Sequence, residues 1–176
     1  MKKLILGACL LFSVNVYAQS YDKCLAKECF HLATLYYGGL GVKQDIHKAV
    51  ELLDKSCESG YSKGCNTLGL MYEYAIAPET DYNKAIKYYS IACDSKNTNG
   101  YINLGSIYYQ GKSVERDFEK AANLFKKACD LGNSTGCSFT ADVYTKTKDK
   151  NKAKSLYSKA CDLGNIYGCT KYLQDK

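Results

Sequence analysis

The chain has 176 residues, with 24 Lys and Arg against 18 Asp and Glu, enough length for one domain with a real core. The positive charge is modest and spread out, with no block of five like charges, so the clustered footprint of a nucleic-acid binder is missing and no nucleic-acid partner is expected. Ten cysteines against two histidines, His31 and His47, without a Cys-x-x-Cys pair, place disulfides ahead of zinc, and no metal or other cofactor is expected.

The first segment, "MKKLILGACLLFSVNVYAQS", carries Lys2 and Lys3, an apolar run from Leu4 to Val14, and Val16-Tyr17-Ala18 before Gln19. This reads as a secretory signal peptide over residues 1–18, and it is set aside from fold reasoning. Leu6-Gly7-Ala8-Cys9 also reads as a lipobox, but it leaves only about five apolar residues before the cysteine, short for the usual apolar region. Removing residues 1–18 takes away Lys2, Lys3 and Cys9, which leaves a net charge of +4 and nine cysteines. No other run approaches the ~20 apolar residues of a membrane span. The expected location is periplasmic or secreted.

From residue 24 onward the chain repeats itself. Cys29, Cys65, Tyr101 and Cys137 are each 36 residues apart, and Cys169 follows after 32. Ala33, Gly69, Gly105 and Ala141 form the next column, and Tyr36, Tyr72, Tyr108 and Tyr144 the one after. Asp45, Asp81, Asp117 and Asp149 each open a D-x-x-K-A segment, with Ala49, Ala85 and Ala121 among its small residues. Each unit closes on Cys57, Cys93, Cys129 or Cys161.

An Asp ahead of an apolar-periodic run reads as an N-cap, accepting orphan helix amides at the positive end of the dipole. Ala121, Leu124, Phe125 and Ala128 then recur at helical spacing. Gly132 and Gly164 stand three past the closing cysteine, where a helix end favours a residue tolerant of positive φ. Cys65, Leu68, Gly69 and Tyr72, at i, i+3, i+4 and i+7, form a second amphipathic helix. Each unit is therefore two antiparallel helices, A from the cysteine column to the tyrosine and B from Asp to the closing cysteine. The units run at about 24–57, 61–93, 97–129 and 133–161, with a capping helix at 165–174. Four of them stack into an all-α solenoid, because no single unit buries its apolar face alone.

The pattern A-x-x-L-G-x-x-Y…G-x-G-V-x-x-D-x-x-K-A-x-x-L-x-x-K-A-C-x-x-G resembles the Sel1-like repeat, a relative of the tetratricopeptide repeat. It is carried here by Asn66-Thr67-Leu68-Gly69-Leu70-Met71-Tyr72 and by Gly39-Leu40-Gly41-Val42 leading to Asp45. Cysteines eight apart at the junctions resemble the secreted cysteine-rich branch, the Helicobacter cysteine-rich proteins. The resemblance covers residues 24–173. It implies a right-handed superhelix with one disulfide per unit, hence Cys57–Cys65, Cys129–Cys137 and Cys161–Cys169, with Cys24–Cys29 at the start. It also implies penicillin binding or weak β-lactamase activity. Departures are the Cys93/Tyr101 junction, the four-residue deletion in the last unit, and the five-residue Cys24–Cys29 spacing.

Nine cysteines leave Cys93 as a free thiol, because Tyr101 occupies its mate's position. Lys96 also stands where Gly60, Gly132 and Gly164 stand in the other units. Three accounts are open: a small buried hydrophobe, a softer hinge between two halves of the chain, or a mixed or intermolecular disulfide through Cys93.

A serine β-lactamase needs a nucleophile beside a base. After residue 18 the S-x-x-K motif occurs only at Ser20-Tyr21-Asp22-Lys23, so Ser20 and Lys23 are weak catalytic candidates, and neither S-D-N nor K-T-G occurs. The other class is a binding scaffold. Outward A-helix positions differ between copies: His31, Thr34, Tyr37; Thr67, Glu73, Tyr74; Asn103, Ser106, Tyr109; Ser138, Asp142, Thr145. Each also has a plain reading as a solvated face. Tyr37, Tyr74, Asn103, Tyr109 and Asp142 are the candidates for contact with a protein or peptide ligand, including a peptidoglycan fragment or a β-lactam. The tyrosines of the repeated column are expected to pack.

Overall fold

The computed structural model describes residues 24–77 and 79–174. The signal-peptide segment, Cys9, Ser20 and Lys23 lie outside the described residues. Among the described residues the regular elements are all helices, and none is long and apolar enough to cross a membrane.

The chain divides between Asp81 and Tyr82 into two compact units. The first holds α1 (Ala26–Gly38), α2 (Ile46–Glu58) and α3 (Ser62–Glu73). The second holds α4 (Tyr82–Asp94), α5 (Thr98–Gln110), α6 (Phe118–Asp130), α7 (Ser134–Lys146), α8 (Lys150–Asp162) and α9 (Ile166–Gln174). Within each unit a helix packs on its neighbours in sequence. Leu32, Tyr36, Ala49, Leu52, Leu53 and Leu68 fill the first core; Tyr89, Ile107, Phe125, Ala141, Val143 and Tyr157 fill the second. Each of the larger side chains contributes roughly 1.5–3 kcal/mol by leaving water.

The repeated aspartates do cap. The carboxylates of Asp45, Asp117 and Asp149 accept from the amides of Lys48, Lys120 and Lys152 at 3.1, 2.8 and 3.3 Å. The A helices have caps of their own: Asn97 accepts from Gly100, Asn133 from Gly136 and Asn165 from Gly168. The lysine of D-x-x-K-A has a second task. Lys48, Lys120 and Lys152 place their ammonium groups 5.3, 3.9 and 5.3 Å from the ring centroids of Tyr36, Tyr108 and Tyr144. A cation over a tyrosine face is worth about 0.5–1 kcal/mol where exposed, and it ties the B-helix start to the A-helix end.

Every B helix turns into the next A helix by the same two backbone bonds. Gly60, Gly132 and Gly164 donate to Cys57, Cys129 and Cys161 carbonyls, and the residue after each donates one position further back. These glycines have φ of +86, +84 and +83°. Lys96 makes the same bond to Cys93 at 2.8 Å and holds φ at +56°. The missing glycine has therefore not changed the turn, only its cost, since a left-handed conformation is unfavourable for a residue with a Cβ. Lys96→Gly is expected to raise the unfolding free energy by about 0.5–1 kcal/mol, after allowing for the looser unfolded chain. Urea titration of both proteins checks it, and an unchanged midpoint would show that the lysine is unstrained.

One column escaped the sequence reading. Gly64, Gly100, Gly136 and Gly168 each precede the cysteine column and lie against the last turn of the preceding B helix. A Cβ there would come within 2.6 Å of the Ser56 hydroxyl oxygen, and within 2.8, 2.7 and 2.7 Å of the Ala92, Ala128 and Ala160 methyl groups. Gly105 opens a similar gap for the ring of Phe125, 2.6 Å from where a Cβ would sit.

Candidate functional site

The junction cysteines are bonded in pairs: Cys24–Cys29, Cys57–Cys65, Cys129–Cys137 and Cys161–Cys169. Cys93 is a free thiol, buried to 7% exposure inside the second unit. Burial pushes its pKa up to about 12, Asp94 adds to the rise, and Lys127 opposes it. A thiol held protonated and covered matches the small buried hydrophobe account. The hinge account fits poorly, because this junction keeps the hydrogen bonds of its neighbours. A mixed disulfide would need the thiolate and an open path to it.

The three eight-residue bridges have Cα–Cα distances of 4.6, 4.5 and 4.4 Å. Since the Cys93–Tyr101 turn shares their backbone bonds, Tyr101→Cys is expected to close a fifth bridge and add about 2 kcal/mol. Thiol titration of the unfolded variant should show one free group fewer than wild type, that of Cys93. A variant that shows one free group more than wild type would mean that the ring of Tyr101 sets the spacing.

The candidate contact residues separate. Tyr37 on α1 and Tyr74 after α3 are 46% and 62% exposed and belong to the first unit. Glu73, expected on the outward face, is 7% exposed, and Ser138 is 1% exposed with its hydroxyl donating to the Thr135 carbonyl. Ser138 was placed one residue out of register: the position 36 beyond Asn103 is Phe139. Asn103 is half-buried on α5.

Tyr109 and Asp142 do come together. With Ser106, Gln110, Phe125 and Phe139 they line a cleft of about 170 Å³ between α5, α6 and α7. Phe125 and Phe139 meet edge to face with centroids 5.3 Å apart. Tyr109 stands against Phe118 at 5.4 Å, edge to face, and the Lys146 ammonium lies 5.7 Å from the Tyr109 centroid. Asp142 Oδ1 accepts from the Tyr157 hydroxyl at 2.6 Å and from the Tyr167 hydroxyl at 2.8 Å. Burial first, and the bond to the Asp142 carboxylate second, hold both phenols above the ordinary tyrosine pKa, so they remain donors. Sequence reasoning named Asp142 but not these two partners. They lie 15 and 25 residues away, and only packing brings them in.

Ser106 donates to the Ile102 carbonyl at 2.9 Å, not to the carboxylate. The cleft thus presents a fixed carboxylate over an aromatic floor, and its serine is not paired with a base.

The sequence profile of the Sel1 repeat matches residues 29–61, 62–97, 98–133 and 144–165. Among solved structures the chain is similar to a protective antigen present in uropathogenic Escherichia coli strains displaying an SLR fold, at 26% identity and TM-score 0.82, covering 89% of this chain and 34% of that one. It is similar to a Sel1 repeat protein from Oxalobacter formigenes at 24% identity and TM-score 0.76, covering 89% and 64%. It is also similar to cysteine-rich protein B of Helicobacter pylori at 32% identity and TM-score 0.57, covering 76% and 98%. The chain spans about a third of the antigen's length and less than two thirds of the Oxalobacter protein's. No curated protein matches it.

Proposed function

The chain belongs to the Sel1 repeat family, and from that premise we propose that it is an extracytoplasmic repeat scaffold that binds a peptide segment of a partner protein. Four disulfides among 151 residues from Cys24 to Gln174 suit an oxidising compartment. The observation that carries the binding reading is the cleft of the second unit. Two successive A helices, α5 and α7, contribute Ser106, Tyr109 and Asp142 to one concavity, and the B helix between them supplies Phe125 as its floor. Repeat frames of this kind hold a constant backbone while the residues at matching positions vary. Position 142 shows that variation, with Thr34, Leu70 and Ser106 as its counterparts at 36-residue intervals.

The ligand fits a peptide better than a free small molecule. The cleft has room for about one side chain, so affinity must come from a chain extending beyond it along the helix faces. A cell-wall peptide is one member of that class.

The test is capture from the source cell's periplasm and medium on immobilised, fully oxidised protein. Wild type is expected to retain a partner that Tyr109→Ala retains at least about fivefold more weakly, because a truncated aromatic anchor typically costs more than 1 kcal/mol. Equal retention by both proteins would remove the cleft from the interface. Absence of any retained partner would overturn the scaffold reading.

A further inference from the structure

We infer that the α5–α7 cleft receives a cationic side chain, a lysine or arginine of the bound peptide, with its head group on Asp142 and its aliphatic stem over Phe139 and Phe125. This rests on the peptide-binding reading above and names the chemistry of its central contact.

Asp142 is the one charged residue among those lining the cleft. The hydrogen bonds from Tyr157 and Tyr167 both fall on its Oδ1, and among the described residues it forms no ion pair. Oδ2 is left as the acceptor that a guest would meet. Two tyrosines on one oxygen fix the carboxylate's direction, so a guest need not spend energy ordering it. An anionic guest would meet this carboxylate at short range with no lysine or arginine among the lining residues. A purely apolar guest would cover the carboxylate without replacing its water, a desolvation cost that nothing repays. A lysine or arginine answers both parts of the lining, since its methylenes suit phenyl rings and its head suits a carboxylate.

The ring of Tyr109 adds to the preference. It already attracts the chain's own Lys146 ammonium at 5.7 Å, which shows that its electrostatics accept a cation. Arg116 lies 5.9 Å from the Phe118 centroid and Lys171 5.6 Å from the Tyr167 centroid, and a third cation, Lys146, shares a helix with Asp142 and competes beside the cleft. Its repulsion limits the affinity, so the salt and charge dependence should be local rather than a property of the whole basic chain.

The experiment is a titration of the oxidised, isotopically labelled full chain with three capped pentapeptides, acetyl-Gly-Gly-X-Gly-Gly-amide with X as Lys, norleucine or Glu, followed by amide chemical shifts. The lysine peptide is expected to shift the amides of Ser106, Tyr109, Phe139 and Asp142, and to bind about tenfold more tightly than the norleucine peptide. Asp142→Asn keeps an oxygen acceptor for Tyr157 and Tyr167 but removes the charge. It should reduce the lysine peptide's affinity to that of norleucine while leaving the melting curve within a few degrees of wild type. Lys146→Ala should tighten lysine binding about two- to threefold by removing the neighbouring positive charge. If norleucine or Glu shifts these amides as strongly as Lys, the cationic assignment is overturned while peptide binding stands. If no peptide shifts them, both this inference and the cleft's role in binding are overturned.

Discussion

Reducing the four disulfides is expected to unfold the protein at room temperature, with the helical circular dichroism signal lost at 222 nm. Each eight-residue bridge joins the last turn of a B helix to the first turn of the next A helix, with only three residues between the helices, as in Ser59-Gly60-Tyr61. In the chain-entropy account a loop of this length contributes about 2–3 kcal/mol. Three such bonds, with the shorter Cys24–Cys29 bridge beside them, are together comparable to the whole ~5–15 kcal/mol by which a domain is stable. A single pair removed, as in Cys129→Ala with Cys137→Ala, should lower the melting temperature by roughly 5–10 °C for a chain of this size. The measurement is a thermal melt with and without a phosphine reductant. Coincident melts would show that helix packing alone holds the hairpins together.

Gly136→Ala should be the most damaging single methyl in the chain. The added carbon would lie 2.7 Å from the Ala128 methyl group, 2.7 Å from the Cys129 amide nitrogen and 2.9 Å from the Phe125 carbonyl oxygen. Two of these are backbone atoms and the third is a methyl on a buried helix turn, so nothing can rotate aside. Overpacking of this kind costs about 1–3 kcal/mol and here should reach the upper end. Gly132→Ala, four residues earlier, provides the comparison: it meets open space, but φ is +84°, so its cost is that of backbone strain, about 1 kcal/mol. Urea midpoints for the two variants should therefore differ, with Gly136→Ala lower. The reverse order would mean that α6 and α7 separate more easily than their contacts indicate.

The helical frame was legible because its signals are local and repeated. Asp45, Asp117 and Asp149 cap where a single aspartate before an apolar run should cap, and the cysteine columns mark the helix ends. The site was less legible. Tyr109 and Asp142 were recognisable as variable outward positions, but Phe139 was passed over for Ser138 by a one-residue slip, which on a helix turns a side chain through about 100° and exchanges outside for inside. Glu73 was misplaced for a different reason: it follows the column of Tyr37 and Tyr109, yet it is buried near the end of α3 where the flanking loop differs in sequence from the other units. The Gly64, Gly100, Gly136 and Gly168 column was present in the letters. Its meaning depends on Ser56, Ala92, Ala128 and Ala160 being small as well, a paired requirement that helix periodicity does not display.

The Cys93–Tyr101 turn keeps the shape of its bridged counterparts with no bond across it. The bend therefore precedes the cystine rather than following from it. When the chain meets an oxidant, each thiol of these three bridges finds its mate eight residues away, already delivered by the turn, and Cys93 is sealed from exchange. Oxidative maturation of such a chain is a set of separate, nearest-neighbour closures, with little for a disulfide isomerase to correct.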